Sequence, residues 1–244
     1  MRQSSTIANE RPLNWPALCE VALLALVAAL LLTKVARGVL AFYIHPRYTP
    51  LVIGCAIILL CIAGVRMRAV FQATPERFAG RGVVYLLLLV PLLFGIVVPA
   101  APLGADTLGG RGLSSFSGAA TRWGAPKSDA TTTWNLLDWA SALSTDTGAL
   151  AAAPVSVDGF VLRPDGTTGS QFYVARYVVS CCAADASGVG LPVVWNHGAQ
   201  LTTDSWIHVS GTLGTTTISG QQQPAIIATE LTAISQPPQP YLYP

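Results

Sequence analysis

The 244 residues include 52% hydrophobic and only 11% charged side chains, whereas soluble domains hold about a quarter charged. That balance argues against an ordinary cytosolic enzyme, and the apolar content argues against a chain disordered throughout. A net charge of +2 is too small to imply a nucleic-acid partner by itself.

The charge is unevenly placed. Residues 1–149 carry 12 Lys+Arg against 7 Asp+Glu, and residues 150–244 carry 2 against 5. A basic, apolar first half followed by a Thr-rich, mildly acidic second half predicts a membrane part and then a soluble part. Three apolar segments lie within 1–101: 16–33, 51–65 and 83–101. A bilayer span needs about 20 apolar residues. The middle segment is short, but Tyr48, Thr49, Pro50 and the stems of Arg66 and Arg68 extend it into the interface. These patterns predict about three transmembrane helices. Glu20 interrupts the first segment and Lys34 and Arg37 follow it, which argues against a cleaved signal peptide. Pro91, Gly95 and Pro99 predict a kinked third helix.

Orientation follows the positive-inside tendency. The loop 66–82 holds Arg66, Arg68, Arg77 and Arg81 against Glu76, while 34–49 holds Lys34, Arg37 and Arg47. The N-terminus and the 66–82 loop are therefore expected in the cytoplasm, and everything after Ala101 outside it, in a multi-pass cell-membrane protein. His45-Pro46-Arg47-Tyr48 reads as a membrane-interface turn, with Lys34 and Arg37 snorkelling beside it. The sharper reading puts His45 at the mouth of a transport path.

Residues 102–132 are rich in Gly, Ala, Ser and Thr and predict a flexible linker. Over 133–148, Leu136, Trp139, Ala140 and Leu143 form the stripe of a short amphipathic helix. From Pro154 the period changes to two. Strands are expected near 155–160, 172–181, 189–195, 205–213 and 224–234, with Gly159 and Gly211 marking bulges or sharp bends. Five bent strands predict an all-β domain over 150–244, an OB-like small barrel, with a small sandwich as the alternative. The tail 237–244 reads as extended and polyproline-like, either loose or with its tyrosines packed on the barrel.

Of the five cysteines, Cys19, Cys55 and Cys61 sit in apolar segments and read as small buried residues. Cys181-Cys182-Ala183-Ala184-Asp185-Ala186 is the unusual string. Both thiols can be structural, pointing to opposite faces of a strand. With Asp185 they can hold a borderline-soft metal such as zinc, His197 or His208 adding a nitrogen, provided that a bulge or strand end at Cys181 turns both sulfurs to one side. A vicinal redox disulfide and a thiol nucleophile are the remaining readings. No Walker loop, GxGxxG, HExxH or GxSxG string occurs, so no enzyme is expected. The acidic balance of 150–244 disfavours nucleic acid, because it repels phosphate.

Several strings taken together resemble one family. They are Tyr43-Ile44-His45-Pro46-Arg47, Pro91-Leu92-Leu93-Phe94-Gly95, Val157-Asp158-Gly159-Phe160-Val161, Ala175-Arg176-Tyr177 leading to the Cys-Cys-Ala-x-Asp-Ala string, Trp206-Ile207-His208-Val209-Ser210-Gly211, and Pro240-Tyr241-Leu242-Tyr243. This pattern is similar to the YcgQ-like family of two-component permease subunits. The resemblance implies an accessory membrane protein beside a larger multi-spanning permease. Zinc-responsive regulation in that family implies a metal-related substrate. A ligand-free assembly factor and an extracytoplasmic thiol redox sensor are the alternative roles.

Overall fold

The computed structural model describes residues 14–72, 81–111, 113, 122–126 and 128–244. The chain divides into two compact units. The first comprises Met1–Leu40 and Pro46–Ala100, the second Ala41–His45 and Ala101–Pro244.

In the first unit, α1 (Trp15–Ala36) begins where Asn14 caps it, its side-chain oxygen accepting from the Ala17 amide at 3.2 Å. Helix α2 (Thr49–Gln72) packs against α1 through small and β-branched residues. Ala17, Val21, Ala63 and Val70 form that seam, and short side chains there let the backbones approach. Arg66 pairs with Glu20 across it at 3.4 Å, and the Tyr85 hydroxyl of α3 (Arg81–Val97) donates to the same carboxylate at 3.4 Å. Both α1 and α2 are long and apolar enough to cross a membrane, and only 11% of each apolar stretch is buried. The core helix of a soluble domain would be mostly covered.

Three expectations change, two in this unit and one at the start of the second. The third apolar segment forms 17 helical residues and stops at Val97 rather than running to Ala101. Pro99 disfavours helical backbone at the residue before it, so α3 is shorter than α1 and α2. The 66–82 loop begins late, since Arg66 and Arg68 lie inside α2; Glu76 and Arg77 lie outside the described residues. Residues 102–132 do not form one continuous linker. Helix α4 (Ala105–Arg111) occupies part of the stretch, and Ala105 and Leu108 are buried in a core cluster with Phe160 and Tyr177. The Ala105 amide donates to Asp204 at 2.8 Å, so a distant carboxylate starts this helix.

The second unit is built on a six-stranded sheet: β1 (Pro154–Leu162), β2 (Gln171–Val178), β3 (Ser187–Val194), β4 (Trp206–Ile218), β5 (Gln221–Ala233) and β6 (Tyr241–Leu242). The strand order is β1-β4-β5-β3-β2-β6, and β1 also pairs with β2, so the pairings of β1 to β5 close into a ring. All these contacts are antiparallel except β3–β5 and β2–β6. Phe160 serves both neighbours of β1, opposite Trp206 on one side and Ala175 on the other. A bulge sits where Ser210 faces Glu230 and Gly211 faces Ala228, leaving Thr229 unmatched. A side chain at Gly211 would collide with the Ile227 carbonyl; we expect Gly211→Val to destabilise this unit by about 1–3 kcal/mol, as overpacking does, read by chemical denaturation.

Helix α5 (Leu136–Thr145) covers this sheet. Asn135 and Asp138 form a reciprocal capping box at its start, and Trp139 and Ala140 are fully buried. The tail is not loose: Tyr241 and Leu242 are buried, β6 runs parallel to β2, and Arg176 donates to the carbonyls of Gln239 and Pro240.

Candidate metal centre

Strand β2 stops at Val178, and the chain bends at Ser180 and Cys181 before a short 3-10 turn, Ala183–Asp185. The expected strand therefore ends before both cysteines. Local hydrogen bonding explains the bend. The Asp185 carboxylate accepts from the Ser180 amide at 3.2 Å and from the Cys181 amide at 2.7 Å, which leaves neither amide for a sheet partner. As a result the Cys181 thiol, the Cys182 thiol and a carboxylate oxygen of Asp185 all lie within 4.8 Å of one another. Cys181 and Asp185 are exposed and Cys182 is half-buried, so all three can be reached from solvent. Two thiolates and a carboxylate form a donor set that suits zinc.

A second segment supports this corner. Ile44 and Cys182 form an antiparallel bridge. The His45 amide donates to the Cys181 carbonyl at 2.9 Å, and the Ala183 amide donates to the Tyr43 carbonyl at 2.8 Å. The His45 ring rests 4.4 Å from that of Tyr243, and the Tyr241 hydroxyl donates to the Phe42 carbonyl at 3.2 Å. His45, expected at the membrane surface, has its backbone in the β-unit.

Neither His208 nor His197 joins the group of ligating atoms. His208 stands opposite Asp158 in the β1–β4 ladder. Its Nδ1 lies 2.6 Å from the Asp158 carboxylate, and its Nε2 lies 3.1 Å from Ser210 Oγ and 3.3 Å from Ser156 Oγ. Two cross-strand rungs on one face of the sheet, Asp158–His208 and Ser156–Ser210 with Val157–Val209 between them, thus make a polar network, with the carboxylate fixing the imidazole. The alternation of both strands was visible beforehand, but their pairing was not. His197 is exposed and lies 6.1 Å from the Trp195 ring, edge to face.

Two family profiles match this chain. Residues 127–244 match the DUF1980 C-terminal domain, and residues 19–114 match the DUF1980 N-terminal domain. The chain belongs to the DUF1980 family. UPF0703 protein YcgQ of Bacillus subtilis (strain 168) is 26% identical over 98 residues, which are 39% of this chain and 34% of that protein. The match thus spans about a third of the length of this curated relative. No solved structure matches.

In this DUF1980 protein the Cys181 thiol is held above the ordinary thiol range. The hydrogen bond with the Cys182 side chain is the main cause, followed by desolvation, the charge of Cys182 and the charge of Asp185. A nucleophilic or redox-sensing thiol needs the opposite shift. Alkylation of the reduced, metal-free chain should therefore show a pH midpoint at Cys181 above the roughly 8.5 of a free cysteine. Asp185→Asn should bring it down by removing the negative charge. Site-resolved mass spectrometry across pH checks this; a midpoint below the ordinary value would contradict it.

Lys34 and Arg37, at the end of α1, line a cavity of about 510 Å³ in the helical unit with Leu26, Leu30, Ile96 and Val98. Its lining is mostly apolar, with Lys34 and Arg37 as the charged side chains.

Proposed function

We propose that the protein is a non-enzymatic accessory subunit of a two-component permease. It would be held in the cell membrane by its helical unit and would bind a metal ion, zinc being the best fit, on its β-unit. Cys181, Cys182 and Asp185 would hold the ion as cargo or signal beside the larger, multi-spanning partner. The single observation that carries the metal reading is the convergence of two thiols and a carboxylate within 4.8 Å at one exposed corner.

Membrane residence is supported by the two long apolar helices and their bare surfaces. A third span over α3 and an N-terminus-in orientation, with the β-unit outside the cytoplasm, complete the proposed topology. An OB-like barrel is supported by the ring of pairings β1-β2-β3-β5-β4 with one parallel contact between β3 and β5. The permease partner rests on the resemblance to the YcgQ-like family. A reporter fused after Pro244 that reads as cytosolic would overturn the orientation.

Equilibrium dialysis of the full-length chain in detergent, under reducing conditions, tests the metal reading. We expect one tightly held zinc per chain and none in the Cys181→Ser/Cys182→Ser variant. Equal zinc in both would remove the site.

A further inference from the structure

We infer that His45 supplies the fourth ligand to the metal held by Cys181, Cys182 and Asp185. The inference rests on the metal reading above and adds a residue from a remote part of the chain. Zinc is almost always four-coordinate and tetrahedral when bound by thiolate, imidazole and carboxylate. Three donors are already gathered, and a nitrogen donor is the natural complement.

The register selects His45. In an antiparallel pair centred on Ile44 and Cys182, the next residue on one strand faces the preceding residue on the other, which sets His45 across from Cys181. The hydrogen bond from the His45 amide to the Cys181 carbonyl, 2.9 Å, fixes that alignment. Pro46 restricts the backbone of His45 to extended conformations, which suit such a bridge. The chain has three histidines. His208 is engaged by Asp158 and two serines, and His197 sits beside Trp195. His45 is therefore the imidazole with a backbone bond to a ligand residue.

The His45 ring lies against Tyr243 and outside the group of ligating atoms. Ligation thus requires rotation about its side-chain bonds, away from Tyr243, with the backbone staying in place. Such an arrangement suits a site that takes up and releases its ion: three donors form a permanent seat, and the fourth closes on the ion once it arrives. It also explains why a segment between two apolar helices belongs structurally with the β-unit.

The test is cobalt(II) titration of the purified, reduced, full-length chain in detergent, read by thiolate-to-cobalt charge transfer and by ligand-field bands. Zinc competition then gives affinities. The wild-type chain should show both the charge transfer and the intense ligand-field bands of a tetrahedral site. His45→Gln should keep the charge transfer, change the ligand-field bands and weaken zinc by about 10-fold or more, at least the cost of losing a supporting contact around a metal. His45→Cys should restore affinity and add charge-transfer intensity from a third thiolate. Unchanged bands and affinity in His45→Gln would overturn the role of His45 alone. Absence of charge transfer in the wild-type chain would overturn the metal reading, and His45 with it. Far-ultraviolet circular dichroism identical to wild type establishes that each variant is folded.

Discussion

Trp139→Ala is expected to destabilise the β-unit by about 3–5 kcal/mol, the range for truncating a large buried aromatic residue. Trp139 is fully buried in α5, and its ring meets that of Trp134 edge to face at 4.9 Å. The cluster around it draws on α5 and on β1 to β5, including Val155, Phe172, Leu191, Ile207 and Ile226. Truncation leaves a hole where the helix meets the sheet, and the sheet, whose strand pairings close on themselves, has little freedom to collapse into it. Trp139→Phe should cost much less. The indole Nε1 has no hydrogen-bond partner among the described residues, so exchanging it for a ring without a polar atom forfeits area but no bond. Hydrogen exchange of the β2 and β3 amides, on the full-length chain in detergent, gives both values. A loss under about 1 kcal/mol for the alanine variant would mean that α5 merely covers the sheet and does not share its core.

This helix and the strands around it show what a sequence exposes readily. The stripe Leu136, Trp139, Ala140, Leu143 and the two-residue period after Pro154 are local patterns, and five of the strands lie close to their expected places. Gly211 was legible as a bulge because a strand glycine usually marks one. Effects carried by distant residues were not legible. Helix α4 looks like linker because its own composition is poor for helix; it depends on Asp204 at its first turn and on Phe160 and Tyr177 beneath it. Tyr241 and Leu242 read as tail because β2, the strand that receives them, lies far back in the chain.

The candidate site divides in the same way. Cys181, Cys182 and Asp185 lie within five residues, and the turn that gathers them is made by Asp185 itself. A carboxylate placed to accept the amides four and five residues before it is a local signal. His197 and His208 entered as candidates because they share the β-unit, but strand register turns His208 toward Asp158. His45 was assigned to the membrane surface by its neighbours Pro46, Arg47 and Tyr48. Only the bridge between Ile44 and Cys182 shows that its backbone runs beside the cysteines.

Loss of both thiols should abolish zinc binding, and zinc affinity in the unaltered chain should climb steeply with pH. The sign follows from the state of Cys181 before the ion arrives. Its thiol is held above the ordinary range, first by the hydrogen bond with Cys182 and then by desolvation and the neighbouring negative charges. It is therefore protonated near neutral pH, whereas a metal ligand must be thiolate, so binding expels that proton. Each proton released makes the apparent affinity rise about 10-fold per pH unit. Cys181 alone thus predicts about a 100-fold gain between pH 6 and pH 8, levelling off only above its own raised pKa. Cys181→Ser removes one ligand and the proton that this ligand releases, and Cys182→Ser lowers the Cys181 pKa by removing its main cause. The second variant should bind zinc weakly, with a slope that levels off at lower pH than in the unaltered chain. Competition with a chromophoric chelator across pH, corrected for the chelator's own protonation, measures the slope. An affinity independent of pH between 6 and 8 would show that zinc binding expels no proton and that the Cys181 thiol is not among its ligands.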